Sequence, residues 1–158
     1  MGSRSGLQSD LKKQHPFDLP EEEVSLNLVR TNDILQAGFS RLFKQHGISS
    51  ALYNVLRILR GEGHSLPCLE IAGRMVTRLP DITRLVDRLE ALSLVSRART
   101  DEDRRVVLVT ITETGRTLVQ SIEGPVRELH RRQLGHLSPE EIAALNTLLV
   151  KARQNQGI

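Results

Sequence analysis

Residues 80–116, PDITRLVDRLEALSLVSRARTDEDRRVVLVTITETGR, decide the fold. In their first part, apolar residues recur at i, i+3, i+4 and i+7, which places them on one face of a helix from near Pro80 to about Leu92. These apolar residues are Ile82, Leu85, Val86 and Leu89. The second part contains two segments rich in valine and isoleucine, 94–99 and 106–111, joined by six polar residues. This pattern predicts a β-hairpin directly after the helix.

The opposite face of the predicted helix is polar and carries two arginines. Thr83, Arg84, Asp87 and Arg88 lie away from the apolar stripe, as they would in a helix that enters the major groove of duplex DNA. Arg84 or Arg88 could bind a guanine edge there, and Thr83 could contact a thymine methyl group or a phosphate. The helix is therefore a candidate recognition helix.

The hairpin tip is also charged. Arg104 and Arg105 are suited to the negative potential of a neighbouring minor groove, and Asp103 is close enough in sequence to orient one guanidinium group. Each feature alone is common on protein surfaces, but their order and spacing favour a DNA-binding lobe. The predicted DNA-binding residues are Pro80, Asp81, Thr83, Arg84, Asp87, Arg88, Asp103, Arg104 and Arg105.

The charge composition is compatible with this interpretation. The net charge is only +3, but 18 of the 22 basic residues are arginines, and nine of these lie between Arg74 and Arg116. Arginine presents a planar fork that fits phosphates and guanine edges. Seven acidic residues share the same window, so charge alone fits a salt-bridged surface equally well. The scarcity of aromatic residues argues against a single-strand binder, which stacks bases on exposed rings.

Upstream of this region the sequence predicts an arm and two helices. Residues 1–20 have few apolar anchors and predict a flexible N-terminal arm. An amphipathic helix should begin at Glu21, with three glutamates at its positive end, and stop near Gly47. Ser49 or Ser50 should cap a second helix, which the following Gly-Glu-Gly sequence ends.

Three further helices are expected. Ser65 should cap a short third helix with Pro67 in its first turn. A long helix follows the second strand, and Pro125 should kink or interrupt it. Residues 138–141, SPEE, combine a serine cap, a proline at the first helical position and a glutamate at the third, which predicts the start of a last helix. Its expected buried face is Ile142, Leu145, Leu148 and Leu149.

These elements define the expected fold class: mainly α with a small β-hairpin wing, a winged helix-turn-helix within one compact domain. The chain shows no nucleophile elbow, phosphate loop or zinc signature, so we expect neither an enzyme nor a cofactor. No apolar run reaches the about 18 residues of a membrane span and no signal peptide is evident, which predicts a cytoplasmic protein without a membrane partner.

Residues 81–90, DITRLVDRLE, followed by Leu94-Val95 and by Asp103-Arg104-Arg105, resemble the multiple-antibiotic-resistance regulator (MarR) family. The segment 108–115, LVTITETG, resembles the second wing strand and the entry to the next helix of that family. The resemblance covers about residues 21–156. It implies a sequence-specific transcriptional regulator, typically a repressor, which binds a pseudo-palindromic operator as a triangular homodimer.

The resemblance also assigns parts of the chain. It implies dimerisation helices at 21–48 and 116–156, and a DNA-binding lobe at 49–115. Arg105 and Asp103 match the family's Asp-x-Arg wing motif. Two departures are present, because Val76 stands where the family commonly has a glycine and Pro80 where it has a capping serine.

Regulators of this kind respond to aromatic acids, drugs, oxidants or metals, which leaves several sensors open. By family analogy, a small aromatic or phenolic effector would bind near Phe39, Leu56 and Arg57. An alternative is a redox-responsive repressor that uses Cys68, the single cysteine, although a small buried residue suits that position. The five histidines form no recognisable metal-ligand set. The remaining alternative is a winged-helix protein-interaction module without DNA binding.

Overall fold

The helices of the protein follow the apolar periodicity of its sequence. A computed structural model describes residues 6–77, 81–99 and 106–154. Within these ranges the helices are α1 (Gly6–Asp10), α2 (Pro20–Gln45), α3 (Ser50–Glu62), α4 (Cys68–Gly73), α5 (Ile82–Ala91), α6 (Glu113–Leu134) and α7 (Pro139–Gln154). The strands are β1 (Leu66–Pro67), β2 (Val95–Arg99) and β3 (Val107–Ile111). The protein is mainly helical with a small sheet, as the sequence predicts.

The chain divides between Gly38 and Phe39 into two compact units. The N-terminal unit contains α1, in a segment for which we expected a flexible arm. Leu7 of α1 is only 4% exposed, and Asp10 forms an ion pair with Arg30 at 3.4 Å. Leu7 is the buried apolar residue of α1, and the low apolar content of residues 1–20 does not reveal it.

Within the described residues the sheet has three strands rather than the predicted two. All pairings are antiparallel in the order β1-β3-β2, with Leu66 opposite Val109 at one side and Val95 opposite Ile111 at the other. The helical conformation is disfavoured for a residue that precedes proline, so Leu66 is extended and joins the sheet. The predicted cap at Ser65 is therefore wrong, since Pro67 occupies the N-cap position of α4.

Helix α3 lies at the centre of the larger unit. Ser49 caps it by accepting a hydrogen bond from the Leu52 N–H, and Gly63 ends it in the left-handed conformation at φ 74°. The α3 residues in the core pack with residues of α5, β3 and α6. The fully buried members of this core include Val55, Leu56, Leu59, Val86, Leu89, Val109 and Ile122.

The last two helices confirm one prediction, exclude one of the two alternatives expected at Pro125 and correct a third prediction. The Ser138 Oγ accepts from the Glu141 N–H while the Glu141 carboxylate accepts from the Ser138 N–H, which is the predicted capping box. Pro125 does not interrupt α6. Most of the face of α7 that we expected to be buried is exposed, with Leu148 at 63%, because no element within the described residues covers it.

Candidate nucleic-acid interface

Helix α5 is oriented by its apolar stripe. Val86 and Leu89 have no exposed surface, and α3 and α4 pack against this side of the helix. Thr83, Arg84, Asp87 and Arg88 are all exposed on the other side. The predicted division of α5 into a buried apolar face and an exposed polar face is confirmed.

The first turn of α5 is capped by a residue that the sequence analysis placed on the DNA-binding surface. Asp81 Oδ1 accepts a hydrogen bond from the Arg84 N–H at 3.0 Å, so Asp81 replaces the serine cap of the family. The Arg84 side chain is 86% exposed and lies 3.7 Å from the same carboxylate. A surface pair at this distance restrains the guanidinium weakly, so it can reorient towards a ligand. Pro80 lies outside the described residues.

The wing is described up to the base of its hairpin. Strands β2 and β3 pair from Val95 and Ile111 to Arg99 and Val107. The predicted tip residues Asp103, Arg104 and Arg105 lie outside the described residues. The hairpin follows α5 in the chain and consists of the edge strand β2 and the central strand β3.

An arginine of the wing, which the sequence analysis did not select, binds two carboxylates of α5. Arg97 Nη1 lies 2.7 Å from Asp87 Oδ1, and its Nε and Nη2 donate to Glu90 Oε2 at 2.9 and 2.5 Å. The hydrogen bond from Arg97 lowers the pKa of Glu90 below its ordinary value, and both carboxylates raise the pKa of Arg97. Asp87, a predicted DNA-binding residue, is therefore already paired within the lobe.

A second residue missed from the sequence is Asn54 of α3. Its Oδ1 accepts a hydrogen bond from the Val76 N–H at 3.1 Å, in the segment that follows α4. Val76 does not adopt a left-handed conformation, so the segment forms there without the glycine of the family. An amide oxygen that binds a distant backbone group leaves no local pattern in the sequence.

The junction between the wing and α6 is tightly packed. The Thr112 hydroxyl donates to the Ser93 carbonyl at 2.8 Å and accepts from the Gly115 N–H at 3.1 Å. The α-carbon of Gly115 faces the Leu94 carbonyl so closely that a β-carbon would overlap it. The end of the wing is therefore fixed to the start of α6 by one side chain and one glycine.

The three predicted effector-binding residues have different environments. Leu56 is fully buried in the core, whereas Arg57 on the next position of α3 is exposed. Phe39 is partly buried, with its ring centroid 4.8 Å from that of His130 and 6.1 Å from that of Phe43. Two surface cavities, of about 520 and 480 Å³, are lined by residues of α7 and α6 respectively, and neither includes the three predicted residues.

Cys68 is half-buried at the start of α4. Burial raises the pKa of its thiol, which keeps it protonated and poorly nucleophilic at neutral pH. The described ranges contain no group of histidine, cysteine and carboxylate side chains that could hold a metal ion. In the same ranges, no helix combines the length and the apolar character needed to cross a membrane.

The geometry defines a class of protein. A short helix and a second helix with an outward polar face, followed by an antiparallel hairpin, form a winged helix-turn-helix. Its exposed side presents two arginines and a threonine on α5. The described site therefore has the architecture of a lobe that binds duplex DNA.

Comparisons with known proteins agree with this class. The family described as Transcriptional regulator SarA/Rot matches residues 38–122. The HTH-type transcriptional repressor IacR of Pseudomonas putida is 31% identical over 122 residues, which cover 77% of this chain and 72% of the relative. A crystal structure of a MarR transcription factor from Planctomyces limnophilus is 43% identical, with a TM-score of 0.67, and the match covers 84% of this chain and 97% of that one.

A second solved structure concerns control of DNA binding. BpsR of Bordetella bronchiseptica, whose DNA binding is regulated by 6-hydroxynicotinic acid, is 26% identical with a TM-score of 0.77, and the match covers 89% of this chain and 99% of that one. The chain belongs to the MarR family of winged-helix transcriptional regulators. It is a DNA-binding regulator of the repressor type and not an enzyme, as the sequence predicts.

Proposed function

We propose that two copies of this chain bind a pseudo-palindromic operator, with α5 of each copy in successive major grooves. The observation that carries the proposal is the exposed Thr83–Arg84 and Asp87–Arg88 face of α5, opposite the fully buried Val86 and Leu89. Such a face lets side chains reach base edges while the apolar face keeps the helix rigid. In this proposal Arg84 and Arg88 bind guanine edges or phosphates, and Thr83 makes a thymine or phosphate contact.

The wing would contact the adjacent minor groove. Arg104 and Arg105 would supply the positive charge at the tip, with Asp103 orienting one of them, and Pro80 would lie at the entry to α5. The described strands support this assignment because β2 and β3 are antiparallel neighbours, with Val95 opposite Ile111 at one end and Arg99 opposite Val107 at the end nearer the tip in sequence. A narrow minor groove concentrates negative potential and attracts inserted arginines.

Dimerisation would use the helices outside the lobe, within 21–48 and 116–156. Large apolar side chains are exposed along α2, with Val29 at 67% and Ile34 at 62%, and along α7, with Leu148 at 63%. Soluble chains rarely leave such rows uncovered, and a second copy would bury them. The dimer would place the two recognition helices about 34 Å apart to match one turn of DNA.

We further propose an aromatic or phenolic acid as the effector, and the cytoplasm, where operator DNA resides, as the site of action. The regulation of BpsR by 6-hydroxynicotinic acid supports the chemical class. The partly buried Phe39 ring could stack on an aromatic effector, and the exposed Arg57 could bind its carboxylate. Because Leu56 has no exposed surface, it would contribute only by packing in the core under the effector-binding surface.

The test is footprinting of the purified full-length chain on genomic DNA, with and without 6-hydroxynicotinic acid and salicylate. We expect protection of two half-sites about 10 base pairs apart, at a stoichiometry of two chains per site. We also expect weaker protection with at least one of the two acids. Absence of any protected site at low salt would refute the DNA-binding proposal. Unchanged protection with both acids would refute the effector proposal alone.

A further inference from the structure

The surroundings of Arg97, on strand β2 of the wing, differ from those of the arginines that we propose to face DNA. Its side chain is 28% exposed, whereas that of Arg84 is 86% exposed. Three of its nitrogens bind carboxylate oxygens of α5, within 2.9 Å in each case. A guanidinium held in this way has few donors left for a phosphate, so direct DNA contact is a poor explanation for its position.

The two carboxylates bound by Arg97 lie beside the recognition surface. Asp87 is on the exposed face of α5, next to Arg88 and three residues after Arg84, and its side chain is 52% exposed. Glu90 lies one residue short of the helix end and its side chain is 40% exposed. Two free carboxylates here would repel the phosphates of a bound duplex. Their pairing with Arg97 reduces that repulsion.

The same contact joins two elements that must act together. Arg97 is on β2, opposite Val109 of the central strand, while Asp87 and Glu90 are three residues apart on α5. Since residues three apart lie on one side of a helix, a single guanidinium can bind both. The contact therefore fixes the angle at which the wing leaves the recognition helix, in addition to neutralising charge.

We propose that Arg97 is a positioning residue for DNA binding, which neutralises Asp87 and Glu90 and ties the wing strand to the recognition helix. This inference rests on the proposed binding of duplex DNA by α5 and the wing. Arg97 itself does not contact DNA, and its contribution depends on the two carboxylates. The lowered pKa of Glu90 is consistent with a charge that Arg97 already compensates.

The experiment compares the full-length protein with three variants on its footprinted operator, by fluorescence anisotropy at several salt concentrations. The variants are Arg97→Gln, the same substitution combined with Asp87→Asn and Glu90→Gln, and Arg60→Gln. We expect Arg97→Gln to weaken operator binding about tenfold at low salt, because both carboxylates are exposed to the phosphates. The loss should shrink as salt rises, since salt screens repulsion.

The triple variant is decisive because it removes the carboxylates together with the arginine. It should recover the part of the affinity that Arg97→Gln loses to phosphate repulsion, which we expect to be the larger part, whereas a purely structural contribution of the arginine would allow no recovery. Arg60→Gln is the matched control, since Arg60 also binds a carboxylate, that of Glu123, away from α5. It should bind the operator like the unmodified protein.

Each outcome has one interpretation. Unchanged affinity in Arg97→Gln, or a triple variant no better than Arg97→Gln, would overturn the inference. If Arg97→Gln unfolds at the assay temperature, Arg97→Lys, which retains the charge, is tested in its place. Its loss of affinity should be smaller than tenfold, and Asp87→Asn with Glu90→Gln should also relieve it. If the unmodified protein binds no DNA, the proposed function fails instead.

Discussion

Asn54 of α3 and Val76, which follows α4, are joined by a hydrogen bond of 3.1 Å from the Val76 N–H to the Asn54 side-chain oxygen. This bond connects the central helix of the core with the segment that leads to α5. The Asn54 side chain is partly buried and Val76 is exposed. Water can therefore reach both groups when the hydrogen bond is broken. The segment that follows α4 is therefore held in part by a side chain of the central helix.

Replacing Asn54 tests this connection. Asn54→Ala should lower the free energy of unfolding by about 1 kcal/mol, the net contribution of one hydrogen bond. Operator binding should weaken a few-fold, because α5 is held less precisely. Urea denaturation and fluorescence anisotropy measure the two effects. Asn54→Asp keeps an acceptor oxygen and should retain most of both properties; equal losses in the two variants would contradict the assignment.

Arg84→Ala should reduce operator affinity by about 1–3 kcal/mol and relax the preference for one base pair. The reason is that its exposed guanidinium is free to bind a base edge. Stability should change by less than about 0.5 kcal/mol, as for other exposed sites. Competition assays with operators mutated at single positions give the preference. Arg131→Ala removes a charge from α6 that is 71% exposed and also lies near a carboxylate three residues away, and it is the control. The same loss in both variants would indicate a general charge effect.

Gly115→Ala should destabilise the protein by about 1–3 kcal/mol, as overpacking typically does. The added methyl group would overlap the Leu94 carbonyl and also meet Ile111 Cγ1 at 2.9 Å. The matched control is Gly124→Ala in the same helix, where the new methyl group meets no described atom within 4 Å apart from its chain neighbours and the adjacent backbone of α6. That substitution should stabilise α6, because alanine is the better helix former. Thermal unfolding should separate the two variants in opposite directions, and parallel shifts would contradict the packing described here.

The recognition helix could be predicted from sequence because its determinants are local. The spacing of Ile82, Val86 and Leu89 fixes which face is buried, whatever surrounds the helix. The capping box at Ser138 and Glu141 is local in the same way. Both predictions are confirmed, and the exposed side chains of α5 follow directly from the first.

The features that were missed depend on contacts between distant parts of the chain. Strand β1 has only two residues, and its pairing with β3 is set by tertiary structure rather than by alternation. The pairing of Arg97 with Glu90 requires β2 to pack against α5. Periodicity predicted an apolar face on α7 correctly, but it cannot tell whether the same chain or a second copy covers residues such as Leu148.

The Glu90–Arg97 pair should make stability depend on pH in acid. The pKa of Glu90 is lowered from its ordinary value of 4.5, so folding favours the ionised carboxylate. Its contribution is therefore present above pH 4.5 and is lost as the pH falls through the lower pKa of the folded state. The difference in Tm between the unmodified protein and Glu90→Gln should shrink over that range. A difference that grows on acidification would contradict the lowered pKa.

Leu148→Glu tests whether the exposed face of α7 is where two copies meet. Leu148 is 63% exposed in the single chain, so a charged side chain there should leave the fold of that chain intact. In a dimer the same carboxylate would be buried without a partner, which is strongly unfavourable. Sedimentation equilibrium should then show monomers, and operator affinity should fall by more than about tenfold because the two recognition helices are no longer linked. Thr147→Glu, one residue earlier on a polar position, is the control and should remain dimeric. A Leu148→Glu variant that stays dimeric and binds its operator normally would place the dimer contact elsewhere.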